Sequence, residues 1–153
     1  MSGLPIRIRQ AHPADFEALY HIDQICFPAD IAFSRGELIF YLSHPKSIAR
    51  VAESSGRIVG FVLARVNGER ARVLTLDVVT EFRQHKIGTR LMSRLHQELK
   101  KQRIGVSILE VGVTNLPAQR LYQKLQYRYV ETLIGYYRGR EDAYRLARVV
   151  GNR

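Results

Sequence analysis

The stretch LDVVTEFRQHKIGTRLM, residues 76–92, decides which fold the sequence predicts. It ends a predicted strand over residues 72–79, passes through a short basic turn and opens an amphipathic helix over residues 88–100. A helix N-terminus presents unpaired backbone N–H groups and a partial positive charge, so it favours phosphate. Gly88 has no Cβ and lets a ligand approach the backbone closely. The stretch predicts a pyrophosphate site, and an ordinary strand–turn–helix with solvated arginines is the alternative.

The chain before this stretch predicts a strand, two helices and a hairpin. The alternation over residues 6–9 is typical of a half-exposed strand. Pro13 suits the first position of a helix whose apolar stripe ends at Cys26. Ser34 suits the cap of a second helix over residues 35–42. Two strands of a hairpin follow, at residues 48–53 and 58–66.

The chain after this stretch alternates strands with a short helix. Residues 106–113 are apolar at both parities, which predicts a strand buried on both faces. The apolar spacing over residues 118–125 indicates a helix, and two strands are predicted at 127–137 and 143–150. The order of elements predicts one α+β domain over residues 1–153, with mixed strand directions in its sheet.

Glu110 is the first candidate for chemistry outside the opening stretch. It is predicted to lie on the same face of its strand as Val106 and Ile108, and both faces of that strand are apolar. A carboxylate among apolar side chains is costly unless the site is wet or partnered. Such a position raises the pKa of a carboxyl group and suits a general base. The alternative is a glutamate near the end of the sheet, paired with one of the chain's many arginines.

Asn115 and Tyr122 are further candidates around the following helix. Asn115 is well placed to cap that helix. Tyr122 shares the apolar stripe with Ala118 and Leu125. From the residues alone, it is expected to be a core tyrosine with a satisfied hydroxyl group.

The composition is that of a basic globular protein. The chain has 153 residues, with 24 Lys and Arg, 14 Asp and Glu, and a net charge of +10. Its hydrophobic content of 46% and charged content of 25% exclude disordered and collagen-like classes. The charge favours nucleic acid, an acidic peptide or a phosphorylated cofactor. The densest basic clusters, residues 100–103 and 138–140, contain no aromatic residues, so a solvated basic surface is favoured and no specific nucleic-acid binding is predicted.

Cysteine usage and hydropathy bear on the compartment. The single cysteine, Cys26, cannot form an internal disulfide or a thiolate zinc cluster. The longest apolar run, residues 58–64, is far shorter than the ~20 residues that span a bilayer. The N-terminal residues show no apolar signal core. We therefore expect a cytoplasmic protein with no membrane partner.

Together these residues resemble the GNAT family, the acetyl-CoA-dependent N-acetyltransferases. The family's pyrophosphate signature is six residues long, with Gln or Arg at the first position, Gly at the fourth, and Gly or Ala at the sixth. Residues 83–88 are similar to this signature, with Lys86 in place of the first glycine. Residues 109–122 and 136–143 resemble RimI-type enzymes, which acetylate the α-amine of a bacterial ribosomal protein. The resemblance implies the GNAT fold, a mixed, mostly antiparallel sheet of six to seven strands flanked by about four helices.

The resemblance also implies roles for particular residues. Glu110 matches the family's general base and Tyr122 its general acid, while the Val78 N–H would polarise the thioester carbonyl. The transfer would be direct, so that Cys26 is not needed as a nucleophile, and no metal is required. Residues implied at the peptide entrance are Phe33, Tyr136 and Tyr137. Residues implied to hold acetyl-CoA are Leu76, Asp77, Val78, Arg83, Gln84, His85, Lys86, Ile87, Gly88, Thr89 and Asn115.

Three departures from the family pattern bear on the site. If the position of Lys86 needs a positive φ, that residue is strained by about 1–3 kcal/mol; if it does not, the lysine adds a phosphate partner. Gln126-Tyr127 stands where the family usually has Gly-Phe. Phe33 stands where the family often has Trp, and this change touches the presumed peptide entrance.

The leading hypothesis is an acetyltransferase for a peptide or protein N-terminus, with a ribosomal protein as one candidate acceptor. A lysine, polyamine or small-molecule amine acetyltransferase of the same fold is the main alternative. A non-catalytic acetyl-CoA-binding module and a basic nucleic-acid-binding protein are alternatives from other classes.

Overall fold

The structure is a computed structural model that describes residues 5–83 and 85–151. These residues form seven strands and four α-helices in the order that the sequence predicts, with short 3₁₀ helices at Pro13–Asp15 and Thr80–Phe82. The strands are β1 (Arg7–Gln10), β2 (Ser47–Ser54), β3 (Arg57–Asn67), β4 (Arg70–Val78), β5 (Val106–Gly112), β6 (Arg128–Tyr137) and β7 (Glu141–Val149). The helices are α1 (Phe16–Cys26), α2 (Arg35–Ser43), α3 (Ile87–Lys101) and α4 (Leu116–Lys124).

All seven strands belong to one sheet, in the order β1-β2-β3-β4-β5-β7-β6. Between described residues, β4 and β5 pair in parallel and every other pair of neighbours is antiparallel. The predicted α+β fold with a mixed, mostly antiparallel sheet is therefore confirmed. No helix among the described residues is long and apolar enough to cross a membrane.

The parallel pair of strands opens into a wedge. Within the described chain, β4 and β5 are in register only where Arg70–Arg72 faces Val106–Ile108. Beyond this point, β4 remains paired with β3 as far as Val78, and β5 remains paired with β7 as far as Gly112. The facing edges of the two strands are thus left open, while each strand stays paired with its outer neighbour.

Helices α1 and α3 lie on opposite faces of the sheet. The side chain of Asp77 contacts Asp23 of α1, whereas the next residue toward the N-terminus, Leu76, lies beside Gly88 of α3. Successive side chains of a strand point to opposite faces, so this alternation puts one helix on each side of β4. The α3 side of the core contains the fully buried Leu91, Met92, Leu95 and Leu99.

A buried polar network ties α3 to β5 and β7. The Tyr127 hydroxyl lies 2.7 Å from His96 Nε2 and 2.7 Å from Ser107 Oγ, and Arg148 lies 3.1 Å from His96 Nδ1. Tyr127 is one of the departures from the family pattern, and its hydroxyl has two partners here. Gln126, the other member of that pair, has a φ of 69°, a left-handed conformation that favours glycine.

Candidate active site

Two cavities open into the wedge between β4 and β5. The carboxylate cavity has a volume of about 300 Å³ and contains Glu110 in its wall. The turn cavity has a volume of about 360 Å³ and reaches Lys86 in the basic turn before α3. The two cavities share the wall residues Phe27, Leu76, Asn115, Ala118 and Tyr122. The wedge is therefore one continuous site with two compartments.

The turn cavity brings together several of the predicted cofactor residues. Its wall includes Leu76, Val78, Arg83, Lys86, Gly88, Thr89 and Asn115. The N-terminus of α3 borders this cavity, so unpaired backbone N–H groups and two cationic side chains meet in one place. This is the donor set that a pyrophosphate group requires.

Lys86 adopts a left-handed conformation, with φ 59° and ψ 26°, at the N-cap of α3. A non-glycine residue pays a steric cost there because its Cβ crowds the following carbonyl oxygen. Of the two alternatives that the sequence left open for Lys86, the strained backbone with a positive φ is the one observed. The Lys86 carbonyl accepts from Arg90 N at 3.0 Å, which starts the helix in spite of the strain.

The backbone of Val78 faces the wedge. The N–H of the next residue, Val79, donates to Val59 O at 2.9 Å across the β3–β4 ladder. Successive residues of an antiparallel strand direct their backbone groups to opposite edges. The groups of Val78 therefore point away from β3, and its carbonyl accepts from Arg83 Nε at 2.9 Å. The Val78 N–H is thus directed into the wedge.

Several predicted cofactor residues do not present side chains to the turn cavity. Ile87 is fully buried in the core, and the Asp77 side chain faces α1. The His85 ring packs against Phe82, with ring centroids 5.8 Å apart. None of these three residues lines the turn cavity, and Gln84 lies outside the described residues.

Gly88 has a packing role in addition to the close approach of a ligand that its sequence position predicts. A Cβ at this position would lie 3.3 Å from Leu121 Cδ2 and 3.6 Å from Leu76 Cδ2. The absence of a side chain therefore lets α3 approach α4 and β4 closely. Asn115 does cap α4, since its Oδ1 accepts from Ala118 N at 3.2 Å, and the same side chain lines both cavities.

Glu110 is held by two arginines in the carboxylate cavity. Its Oε1 lies 2.9 Å from the Arg72 guanidinium, and its Oε2 lies 3.0 Å from Arg145 Nε. The Tyr136 hydroxyl contacts Arg72 and donates to Glu110 Oε1 at 3.4 Å. The side chain of Glu110 is only 5% exposed, so the two cations stabilise it as a buried carboxylate. Glu110 is therefore ion-paired, as the alternative predicts, and it also lines the carboxylate cavity, where a general base would have to lie.

Tyr122 lies where the two cavities meet. Burial raises the pKa of its hydroxyl above the ordinary value. Burial also raises the pKa of Tyr137, which lines the carboxylate cavity, to about 12. Both phenols therefore keep their protons at neutral pH and are available as proton donors.

Two loops close over the carboxylate cavity. Phe33 lines the cavity from the α1–α2 loop, where its N–H donates to Asp23 Oδ2 at 2.7 Å. Tyr136 and Tyr137 line it from the β6–β7 hairpin. Arg138 of that hairpin donates to Asp30 O of the α1–α2 loop at 2.7 Å. All three predicted entrance residues thus border one cavity, and a hydrogen bond joins the two loops.

Three residues of this site were not predicted from the sequence: Asp23, Arg72 and Arg145. Asp23 falls four residues after Leu19 on the buried stripe of α1, and a charged residue on such a stripe is a usable signal. The two arginines gave no such signal, because Arg72 is exposed and Arg145 is half-buried on strands of a strongly basic chain.

No group of three or more His, Cys, Asp or Glu side chains among residues 5–83 and 85–151 has the arrangement of a metal site.

Comparison with known proteins agrees with the geometry of the wedge. A profile of the Acetyltransferase (GNAT) family matches residues 16–127. The chain is 29% identical to an N-alpha-acetyltransferase of Sulfurisphaera tokodaii, over 95% of this chain and 93% of the relative. It is 27% identical to the ribosomal protein bS18-alanine N-acetyltransferase of Escherichia coli, over 89% and 92% of the two chains.

Solved structures show the same fold. The crystal structure of the ribosomal-protein-S18-alanine N-acetyltransferase from Escherichia coli has a TM-score of 0.90 at 23% identity, with 97% of this chain and 96% of that chain covered. Arabidopsis thaliana NAA60 in complex with acetyl-CoA has a TM-score of 0.84 at 23% identity, with 95% and 98% covered.

The chain belongs to the GNAT acetyltransferase family, because the family profile covers most of its length. It is an N-acetyltransferase, and enzymes of this family use acetyl-CoA. The predicted family and enzyme class are confirmed.

Proposed function

We propose that the protein acetylates the α-amine of a protein N-terminus by direct transfer, with Glu110 as general base and Tyr122 as general acid. The position of Tyr122 carries this proposal. Its side chain lines both the turn cavity and the carboxylate cavity, so it borders the place where a cofactor and an acceptor amine would meet.

The residues of the turn cavity fit acetyl-CoA. The N-terminus of α3, with Arg83 and Lys86 beside it, would hold the pyrophosphate. Leu76, Asn115 and the backbone of Val78 would hold the pantetheine arm. When bound, acetyl-CoA supplies an acetyl group that is activated as a thioester. The Val78 N–H would donate a hydrogen bond to the acyl oxygen as negative charge develops there, and such donors contribute ~3–4 kcal/mol.

The residues of the carboxylate cavity fit a protonated amine. An α-amine has a pKa near ~7.7–8.0 and is largely protonated at neutral pH. Glu110 would accept that proton, directly or through a water, and the free electron pair of nitrogen then forms the new amide bond. Tyr122 would give its proton to the departing sulfur as the carbon–sulfur bond breaks. The nitrogen, which still carries one proton more than an amide, would then give that proton to the Tyr122 oxygen and restore the phenol. Cys26 takes no part in this scheme, so no acyl-enzyme burst is expected.

Two observations support a protein acceptor. The α1–α2 loop and the β6–β7 hairpin are joined over the carboxylate cavity by Arg138 and the carbonyl of Asp30. Such a covered entrance suits the end of an extended chain. The relatives named for N-alpha-acetylation and for bS18-alanine acetylation point the same way, and the latter makes a ribosomal protein one candidate acceptor.

A peptide panel tests the proposal. The purified protein is mixed with acetyl-CoA and peptides that differ at residue one, with N-blocked lysine peptides and polyamines as controls, and mass shifts are recorded. Acetylation of free N-termini alone supports the proposal. Acetylation of lysines or polyamines alone overturns the proposed acceptor. Cofactor binding without transfer to any amine would favour a non-catalytic acetyl-CoA-binding module.

Two conservative variants test the assigned roles. Glu110→Gln and Tyr122→Phe are each expected to lower turnover at neutral pH while acetyl-CoA still binds. Full activity in both variants would overturn the assignment of base and acid.

A further inference from the structure

A third cavity adjoins the carboxylate cavity. This strand groove has a volume of about 530 Å³ and shares Arg72 and Glu110 with the carboxylate cavity. Its wall is built from strand residues, and its charged members are Arg65, Arg70, Arg72, Glu110, Glu131 and Arg145. A chain that enters the carboxylate cavity by its first residue can therefore continue along the groove.

The groove carries an excess of positive charge. Its four arginines face two glutamates. Glu110 pairs with Arg72 and Arg145, and Glu131 also pairs with Arg145 at 2.7 Å. These pairs leave Arg65 and Arg70 without an ion-pair partner among the described residues.

The register of the sheet places the two unpaired arginines on either side of Arg72, one across the β3–β4 ladder and one along β4. Arg65 lies directly opposite Arg72 across the β3–β4 ladder, a distance of about 5 Å between the two backbones. Arg70 lies two residues before Arg72 on β4, or about 7 Å along the strand. An extended peptide rises about 3.3 Å per residue. Arg70 therefore lies about two residues of extended chain away from Arg72, which contacts Glu110, and Arg65 lies beside this path. The two arginines thus border the second to fourth residues of a chain whose first residue lies at Glu110.

We propose that the strand groove binds acidic side chains at the second to fourth positions of the acceptor. The preferred substrate is then an N-terminus followed by Asp or Glu, an inference that rests on the proposed function. Arg65 and Arg70 are specificity-determining residues in this scheme, and they take no part in proton transfer.

The lining of the groove favours an acidic peptide over RNA. No aromatic side chain is among the residues that line it, so bases find no stacking surface. The groove also meets the carboxylate cavity at Glu110, the proposed acceptor of the proton of an α-ammonium group.

The test compares three peptides that share the first residue and carry Asp and Glu, Asn and Gln, or Lys at positions two to four. Initial rates give KM and kcat for the wild type and for the Arg65→Gln/Arg70→Gln variant. Arg7→Gln/Lys124→Gln is the control, since both of its residues are exposed and lie outside the groove. Thermal unfolding of each variant verifies that it is folded.

The expected result is a wild-type KM that is lowest for the acidic peptide and highest for the lysine peptide. The groove variant should raise KM for the acidic peptide about fivefold, leave kcat unchanged and leave the uncharged peptide unaffected, because exposed ion pairs are individually weak. Raising the salt concentration should reduce the wild-type preference. The control variant should behave as the wild type.

Several outcomes would overturn the inference. Equal KM values for acidic and uncharged peptides, or an equal loss in the control variant, would remove the groove as the cause of specificity. Competition by a short RNA through Arg65 and Arg70 would assign the groove to nucleic acid. Transfer without a charge preference overturns this inference alone, whereas no transfer to any peptide overturns the proposed function as well.

Discussion

The carboxyl groups of Asp77 and Asp23 contact each other inside the interface between α1 and β4. Each residue is only 1% exposed. Thr75 donates its hydroxyl to one oxygen of Asp77, and the Phe33 N–H donates to Asp23. The other oxygen of Asp77 has no hydrogen-bond donor in the described structure. A proton on one of the two acids would supply a hydrogen bond between them. Burial and the neighbouring Asp23 therefore raise the pKa of Asp77 well above its ordinary value.

This relationship predicts a stability that depends on pH. The unfolded Asp77 loses its proton near pH 3.9, whereas the folded pair retains a proton to a higher pH. Folding therefore becomes less favourable as pH rises from about 4 through the raised pKa. Asp77→Asn supplies an uncharged amide donor toward Asp23 and does not titrate. The stability of the variant relative to the wild type should therefore increase as pH rises from about 4 through the raised pKa of Asp77.

Chemical denaturation at several pH values between 4 and 9 measures the difference. Asp142→Asn is a control, since Asp142 accepts a hydrogen bond from Gly135 N away from α1. Parallel stability curves for the wild type and Asp77→Asn would contradict a shared proton in this interface.

The second prediction concerns Glu110 as the proposed base. Glu110→Gln should lower kcat about 100- to 10,000-fold at pH 7, because general-base catalysis is of that size. The loss should shrink as pH rises past ~8, since the α-amine then loses its proton unaided. Profiles of kcat between pH 6 and 9.5, with acetyl-CoA affinity measured alongside, test both expectations.

Glu53→Gln is a matched control for this experiment. Glu53 lies on β2 and, like Glu110, is paired with two arginines, Arg7 and Arg9. Its loss should lower stability and leave kcat unchanged. A variant of Glu110 with a constant deficit at every pH would point to a lost structural ion pair instead of a lost base.

Much of the fold was predictable because its signals are local. The apolar spacing from Ile87 to Leu99 matches α3, and the capping residue Ser34 accepts from Glu37 N at 3.1 Å as expected. The opening between β4 and β5 was not predictable. It depends on where the pairing of Arg72 with Ile108 stops, and that is set by contacts between distant parts of the chain.

The site was predictable where it follows the chain and not where it depends on cross-strand neighbours. Six residues of the predicted cofactor site are close in sequence, so their meeting at the turn cavity follows from a strand that runs into a helix; they are Leu76, Val78, Arg83, Lys86, Gly88 and Thr89. The partners of Glu110 come from 38 and 35 residues away, on β4 and β7. Which residues pair with Glu110 depends on the register of β4 and β7 against β5. A shift of either strand by one residue would turn its arginine to the other face of the sheet.

The third prediction concerns the strained residue Lys86. Lys86→Gly removes the steric cost of its positive φ but adds freedom to the unfolded chain, so a net gain of about 0.5–1 kcal/mol is expected. Lys86→Gln keeps the strain and removes the charge. Both variants should weaken acetyl-CoA binding to a similar extent, and only Lys86→Gly should raise Tm. Equal Tm values for the two variants would contradict the strain.

The fourth prediction concerns the bridge between the two loops. Arg138 has a φ of 57°, so Arg138→Asn keeps a residue type that tolerates the left-handed turn and removes the guanidinium that binds Asp30 O. The peptide KM should rise severalfold, while kcat and acetyl-CoA affinity remain as in the wild type. Arg140→Asn, in the same hairpin, is the control. An unchanged peptide KM would show that the bridge does not shape the entrance.

The fifth prediction concerns His96 in the network behind α3. A guanidinium can only donate, so the contact with Arg148 leaves Nδ1 as the acceptor and Nε2 as the donor to Tyr127. Burial, together with the charge of Arg148, lowers the pKa of His96 to about 4. The unfolded histidine binds its proton near pH 6.5. The folded protein should therefore lose roughly 2 kcal/mol of stability as pH falls from 6.5 to 4.

His96→Gln should flatten this part of the stability curve, because the amide does not titrate. The variant will be less stable than the wild type at pH 7, and the difference should shrink as the wild type loses stability in acid. His21→Gln is the control, since His21 is exposed. Urea denaturation at half-unit steps between pH 4 and 7 gives the comparison. An acid slope that persists in His96→Gln would mean that other groups, such as the carboxylates paired with arginine, cause the loss.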